Sequence, residues 1–459
     1  MSDYITTFTG KHFTPLEPLE KDIDIRDIAH ALSMIIRAGG HYKEFYSVAQ
    51  HSLHCAYEAM ERRANPRLVL MCLLHDAAEA YIADVTRPVK KNMPEYAAAE
   101  QRILNTVYKK FLGSVPDERE AEFIKTIDDA LIYHEFLHHM NEKLFDEAPY
   151  LNSEPDFSFV PFENIEEEFL NIFEALVRQM REMKKIRIIS LDLDGTLFRS
   201  DKTISPRLKS ALKRASEAGI EIVPSSGRSF SGIPAAVKEL PGVHYLITTN
   251  GADVYTIDGE RLYSRSMSCA DAADITRRIT ELDVIVGAYI DGYGYMERAQ
   301  LKKIEERGAE EFVLDYFRTT RTLVDRLPEF ILENNRPVQI ITPTFSGTPD
   351  EVIKEVIELV SDYRDMIYVW GSPSNIDISH PEASKGFGLT ELARINGIDP
   401  AHTAAFGDSE NDADMLRKAG FGFVMANGDK YAYDAADFIT LSNDEDGVAD
   451  AIEKLILTV

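Results

Sequence analysis

The chain has 459 residues, more than one hydrophobic core usually organises, so two or three domains are expected. Its formal net charge of -27 opposes a nucleic-acid backbone or an anionic membrane as partner and leaves small molecules, anionic ones included where metals or basic residues offset the field. Cys55, Cys72 and Cys269 are widely spaced, the start lacks a basic run followed by an apolar core, and no apolar run reaches a membrane span, so the sequence reads as a cytoplasmic protein with reduced thiols, compatible with a homo-oligomer.

From Ile23 to about Met183 apolar residues recur at three- and four-residue spacing, in "DIRDIAHALSMIIR", "SVAQHSLHCAYEAM", "RLVLMCLLHDAAEAY" and "IKTIDDALIYHEFLHHM", which predicts an all-α half. After the loop "EAPYLNSEPDFSFVPFEN" one more amphipathic helix, "IEEEFLNIFEALVRQMREM", closes the bundle. Within it "CLLHDAAEAYIADV" sets His75, Asp76, Glu79 and Asp84 among apolar residues, with His75 and Glu79 expected on one helical face at i and i+4. Unpaired burial of such groups is costly, so they require either a hydrogen-bonded core cluster or a divalent metal. His51 and Asp128, on other helices, are available to complete a set of two histidines and two carboxylates, which leaves positions open for water and a phosphate oxygen.

At Lys184 the texture changes to strands alternating with helices, the signature of a parallel, doubly wound sheet. "KKIRIISLDLDG" predicts a buried strand with Asp192 and Asp194 just beyond its carboxyl end, where open α/β sheets build their sites. One carboxylate can attack phosphorus while the other protonates the leaving oxygen and then activates water. Lys385 and a Mg²⁺ held by Asp192, the Asp194 carbonyl and Asp408 would offset the repulsion, Asn411 and Asp412 would brace the metal, and Ser226 in "PSSGRS" would donate to a phosphate oxygen. The expected division is 1–183 and 184–459, the latter a core of 184–266 and 375–459 interrupted by a cap over 267–374.

In order and spacing, DxDGT, SGR, a lone Lys and GDxxND resemble the haloacid dehalogenase superfamily, and "TTNGADVYTIDGERLY" with the large insertion resembles its Cof-like branch, whose mixed α/β cap covers the site. The resemblance implies a Mg²⁺-dependent phosphatase or phosphomutase on a small phosphorylated metabolite, with Gly227, Arg228 and Asn250 contacting substrate. The order H, HD, D in the first half resembles the HD-domain phosphohydrolases, and HDxxE, Asp and "RPVK" bring it near their 5′-deoxynucleotidase-like group. That resemblance implies His51, His75, Asp76 and Asp128 around a transition metal such as Mn²⁺, Co²⁺, Ni²⁺ or Zn²⁺. It further implies Glu79 orienting or activating the attacking water, Arg37 meeting the phosphate, and Asp84, Arg87 and Lys90 contacting the nucleotide. Asp128 and the adjacent Asp129 compete for the fourth place, and a KxxD pattern from Lys125 favours Asp128.

Two departures bear on selectivity. Ala38 stands where the nucleotidases carry an aromatic residue, and Arg87 where they carry Thr, so a wider and more cationic pocket is expected. His30, His41, His54, His134, His138 and His139 read as surface or core-satisfied side chains. The function expected is a bifunctional phosphohydrolase acting on nucleotides and small phosphorylated metabolites; the alternative makes the first half a ligand-binding or oligomerising module that regulates the second.

Overall fold

The computed structural model describes residues 3–306, 311–372 and 374–457. The chain separates into two compact units between Lys184 and Lys185. Among the described residues, no helix is long and apolar enough to cross a membrane.

The first unit is a helical bundle of α1 (Ile25–Met34), α2 (Val48–Glu61), α3 (Pro66–Leu74), α4 (Glu79–Ile82), α5 (Arg87–Lys90), α6 (Pro94–Leu112), α7 (Glu118–Met140) and α8 (Phe162–Met183). Local chemistry sets the ends. Ser47 accepts from the Gln50 N–H to start α2, Asn65 and Pro66 open α3, and Asp117 with Glu120 forms a reciprocal capping box on α7. Ile28, Leu32, Leu53, Leu70, Leu74 and Phe169 meet in the core. The all-α expectation needs one addition, a two-stranded hairpin of β1 (Ile5–Thr6) and β2 (His12–Phe13) whose Phe13 is fully buried against Tyr81.

A second correction falls on the quoted stretch. His75 and Glu79 do not share one continuous helix, because α3 ends at Leu74 and α4 begins at Glu79. Between them the backbone tightens into three-residue turns, Ala77 N–H to Leu74 O and Glu79 N–H to Asp76 O, while the Cys72 carbonyl accepts from His75 Nδ1 at 2.7 Å. Attaching an imidazole to a carbonyl of the last turn takes the place of a helical bond.

The second unit holds two sheets. The larger comprises β3 (Ile188–Asp192), β4 (Glu221–Ser225), β5 (Tyr245–Thr248), β6 (Asp253–Thr256), β7 (Arg261–Ser264), β14 (Thr403–Gly407), β15 (Phe421–Val424) and β16 (Phe438–Ile439), in the order β16-β15-β14-β3-β4-β5-β6-β7. β16 through β5 run parallel, and β6 and β7 return antiparallel at one edge. The inserted sheet comprises β8 (Ile285–Ile290), β9 (Tyr293–Glu297), β10 (Arg321–Val324), β11 (Val338–Thr344), β12 (Ile367–Ser372) and β13 (Asn375–Ser379), in the order β10-β9-β8-β11-β13-β12. β13 pairs with both β11 and β12, so the cap sheet extends to Ser379 and the expected core boundary at 375 falls inside it. Ile376 and Ile378 of β13 explain the placement, since both lie in the cap's apolar core.

Candidate active sites

In the second unit the parallel order decides which side chains meet. β3 lies between β14 and β4, so the residues ending these three strands, Asp192, Asp408 and Ser226, converge at one edge of the sheet. Lys385 enters from the first turn of the helix Lys385–Ile395, capped by Ser384. Fully buried, it donates to Asp192 Oδ1 at 2.5 Å and Asp412 Oδ1 at 2.6 Å. The other Asp412 oxygen accepts from the backbone N–H of Asp408 at 3.0 Å and of Ser409 at 3.1 Å, which fixes the loop. Gly195, at φ +88, makes the sharp turn after Asp194, and a Cβ there would lie 2.3 Å from Asp408 Oδ2.

Asp192, Asp408 and Asp412 bring carboxylate oxygens within 4.8 Å of one another. Burial and Asp412 push Asp192 up to about 8 against the pull of Lys385, and the same two causes push Asp408 up to about 7. One ammonium does not balance three carboxylates, and an all-oxygen donor set of this charge fits Mg²⁺. Asp194 points elsewhere. It pairs with Lys202 at 2.9 Å and Arg228 at 2.7 Å, and although burial opposes it, these two cations hold its carboxyl below the usual range. Ser226 Oγ accepts from the Arg228 N–H, and a Cβ on Gly227 would come 2.9 Å from Asn250 Oδ1.

Asn250, expected to face substrate, bridges the loop 408–412 and the cap. Its Oδ1 accepts from Asn411 at 3.3 Å, and its Nδ2 donates to Asp377 of β13 at 2.8 Å. Asp377 also accepts from Thr342 at 2.9 Å. Thr196, which donates to Asp408 at 3.0 Å, and Asp377 are site neighbours the sequence reading missed. Thr196 was visible as the last letter of DxDGT; Asp377 carries no local signal.

A profile of haloacid dehalogenase-like hydrolases matches residues 189–452, more than half of the sequence. The chain belongs to this family. As a haloacid dehalogenase-like hydrolase it is 29% identical over 298 residues to phosphatase YwpJ of Bacillus subtilis strain 168, covering 59% of this chain and 100% of that one. It is 27% identical over 290 residues to the 5-amino-6-(5-phospho-D-ribitylamino)uracil phosphatase YwtE of the same organism, covering 59% of this chain and 98% of the relative. A solved haloacid dehalogenase-like hydrolase from B. subtilis superposes with a TM-score of 0.51 at 28% identity, covering 59% of this chain and 100% of that chain. This hydrolase also carries an HD domain, whose profile matches residues 36–143.

In the HD unit four ligating atoms close on one point. His51 Nε2 lies 3.2 Å from His75 Nε2, 3.1 Å from Asp128 Oδ1 and 3.8 Å from Asp76 Oδ2; His75 Nε2 lies 3.7 Å from that Asp128 oxygen and 3.4 Å from that Asp76 oxygen. Such separations suit donors about 2.0–2.2 Å from a shared ion. Behind each ring an acceptor holds Nδ1, the Glu135 carboxylate at 2.5 Å for His51 and the Cys72 carbonyl for His75. With Nδ1 as donor, both Nε2 lone pairs face the centre, an arrangement that a cation between them stabilises. Cys55 Sγ is also near, 3.5 Å from His51 Nε2, and joins His51 and His75 as a further donor atom within 4.8 Å, although burial pushes its thiol up to about 11. The mixed N and O set fits a divalent transition metal.

Asp128 faces this cluster, whereas Asp129 turns to Lys125 and Arg87. Arg87 does not present a free fork. Its Nη2 donates to Asp128 at 2.8 Å and its Nη1 to Asp129 at 3.0 Å, so two carboxylates offset the charge expected to widen anion selectivity. Arg37 is buried, 2.9 Å from Asp76 and 3.6 Å from Glu135. Lys90 pairs with Glu100 at 2.5 Å. Glu79 is buried with Oε2 unpartnered, and burial, Asp76 and Asp84 push it up to about 9; burial likewise raises Asp84. Ala38 is half-buried in a left-handed turn at φ 53.

Glu135 is the residue that sequence reading missed here. Fully buried, it accepts from His51, from Tyr46 at 3.0 Å and from Tyr42 at 3.4 Å; burial alone would raise it, but His51 and Arg37 pull it down to about 2. Its seven-residue offset from Asp128 on α7, two helical turns, was the available signal.

Proposed function

We propose that this protein is a bifunctional phosphohydrolase. The second unit hydrolyses the phosphate ester of a small metabolite through Asp192, a reading supported by the phosphatase names of its relatives and carried by one observation: Asp192 held at the end of β3 by the buried Lys385 beside Asp408 and Asp412. Mg²⁺ bound by Asp192, Asp408 and the Asp194 carbonyl, with Asn411 and Asp412 behind them, would neutralise phosphate charge and align it. Asp192 attacks phosphorus and the ester P–O bond breaks as Asp194 gives a proton to the departing alcohol. Water, deprotonated by Asp194, then attacks the aspartyl-phosphate and releases inorganic phosphate. The ionised Asp194 beside Lys202 and Arg228 supports the base half of this cycle; for the acid half it takes up a proton from the entering phosphate monoester or from solvent as it gives up its pair with Arg228, whose guanidinium then turns to the phosphate.

The first unit, in the same proposal, hydrolyses a nucleotide-like phosphate ester at a metal held by His51, His75, Asp76 and Asp128. The metal would lower the pKa of a bound water. Glu79, raised by burial, Asp76 and Asp84, orients or activates that water, and Arg37 steadies Asp76. Phosphate release from a panel of nucleotides and sugar phosphates tests both halves. Asp192→Asn should abolish one set of activities and His75→Ala the other, each sparing its counterpart. Loss of both activities in one folded variant refutes the two-site proposal.

A further inference from the structure

Beside the metal cluster, a different face of α2 forms one wall of a cleft of about 640 Å³, within the range of small-ligand pockets. Gln50, Leu53, His54, Tyr57 and Met60 follow one another at helical spacing along this wall, and α8 contributes Ile165 and Glu168. The third side is the connecting segment from Asn152 to Val160.

That segment is built in place. Glu58, fully buried, accepts from the N–H groups of Asn152 and Ser153 and from Ser153 Oγ at 2.7–3.1 Å. Gln50 Nε2 donates to the carbonyls of Asp156 at 3.3 Å and Ser158 at 3.0 Å. A fully buried carboxylate is costly unless satisfied, and Glu58 pairs with Arg62 at 2.7 Å and is otherwise satisfied by holding this loop, so the cleft is shaped in advance.

Its chemistry is one-sided. Leu53, Met60, Val160 and Ile165 give an apolar floor, Glu61, Glu154, Asp156 and Glu168 give carboxylates, and none of the lining residues is Lys or Arg. His54 adds no charge, because burial lowers it to about 4 while Tyr46 engages its Nδ1 at 2.9 Å. Independently of the acidic rim, Gln50 is 2% exposed and its Oε1 has no partner, although both its amide hydrogens are directed to carbonyls. An orphaned acceptor at that depth costs about 1–3 kcal/mol until a donor reaches it.

We propose that this cleft binds a small organic cation, an ammonium, amidinium or guanidinium head carried on an apolar body. The head would donate to Gln50 Oε1 and the carboxylates, and the body would cover the half-buried Tyr57, Met60 and Val160. None of the residues proposed to hold either metal lines the cleft, and it does not depend on the reactions proposed for them.

Calorimetry on the full chain with benzamidine, benzamide and benzoate tests it. Benzamidine should bind at one saturable site, more weakly as salt is raised, and about tenfold or more tighter than neutral benzamide, with benzoate silent. The paired surface substitutions Glu154→Gln and Asp156→Asn should weaken benzamidine about tenfold. Gln50→Leu should weaken it further without changing the far-ultraviolet circular dichroism. Equal affinity for benzamide, unchanged affinity in the paired variant, or no saturable benzamidine binding overturns the proposal.

Discussion

Glu135 shows how one side chain can set the chemistry of another that it does not accompany in sequence. Its carboxylate fixes the Nδ1 proton of His51 and thereby turns Nε2 toward His75, Asp76 and Asp128. Glu135→Gln keeps the shape but can accept only through one oxygen, so metal affinity of the first unit should fall about 10–100-fold, measured by competition with a chromophoric chelator. Unchanged affinity would mean that the ring is oriented by packing alone. The seven-residue offset from Asp128 places it on the same face of α7, but Glu is ordinary in a helix and only the fold brings Tyr46, Tyr42, Arg37 and His51 around it, so spacing alone did not single it out.

Among the elements, legibility followed locality. β3, β4 and β14 with their terminal Asp192, Ser226 and Asp408 were readable because a short apolar strand and the polar residues closing it are consecutive. The break between α3 and α4 was not, since it depends on His75 reaching a carbonyl. Nor was the assignment of β13 to the cap sheet, which follows from pairing with β11 and β12. That strand carries Asp377 to Asn250, so the cap and the loop 408–412 share a hydrogen-bonded link. Asp377→Ala strands the Asn250 amide and the Thr342 hydroxyl; it should cost about 1–3 kcal/mol and speed amide exchange at residues 249–251. Asp377→Asn, which retains an acceptor, should exchange more slowly than the alanine variant, and equal rates in the two would dismiss the link.

For the molecule as a whole, clusters of raised carboxyls make stability depend on pH. Asp192, Asp408 and Glu79, at about 8, 7 and 9, keep protons in the native state that the unfolded chain gives up near pH 4. The unfolded state therefore binds fewer protons across that interval, and the metal-free protein should lose stability as pH rises through it. His75 acts in the same direction: burial works against it, yet Asp76 and Asp128 raise it, and the stability it confers is lost above its raised pKa. Glu135, lowered to about 2, works oppositely and contributes only above the ordinary carboxyl range. Mg²⁺ competes with the protons on Asp192 and Asp408, so its stabilising effect should grow from about pH 6 to about pH 9, read as the melting temperature with and without the ion. A stabilisation independent of pH would exclude these carboxylates as the ligands.

The strand order of the larger sheet also imposes a timetable on assembly. β3 is paired with β14, Ile188 with Thr403, so Asp192 meets Asp408 only after the whole cap has been made and looped out. Closing a chain segment of that length and aligning parallel strands is slow, whereas the helical unit closes shorter segments without strand alignment, His30 meeting Glu166 at its ends, and is complete near Lys184. On the ribosome the HD unit can therefore fold while the remainder is still being synthesised. During refolding from denaturant, transition-metal binding by the first unit should return before Mg²⁺ binding by the second, and simultaneous recovery would show that the two halves fold as one.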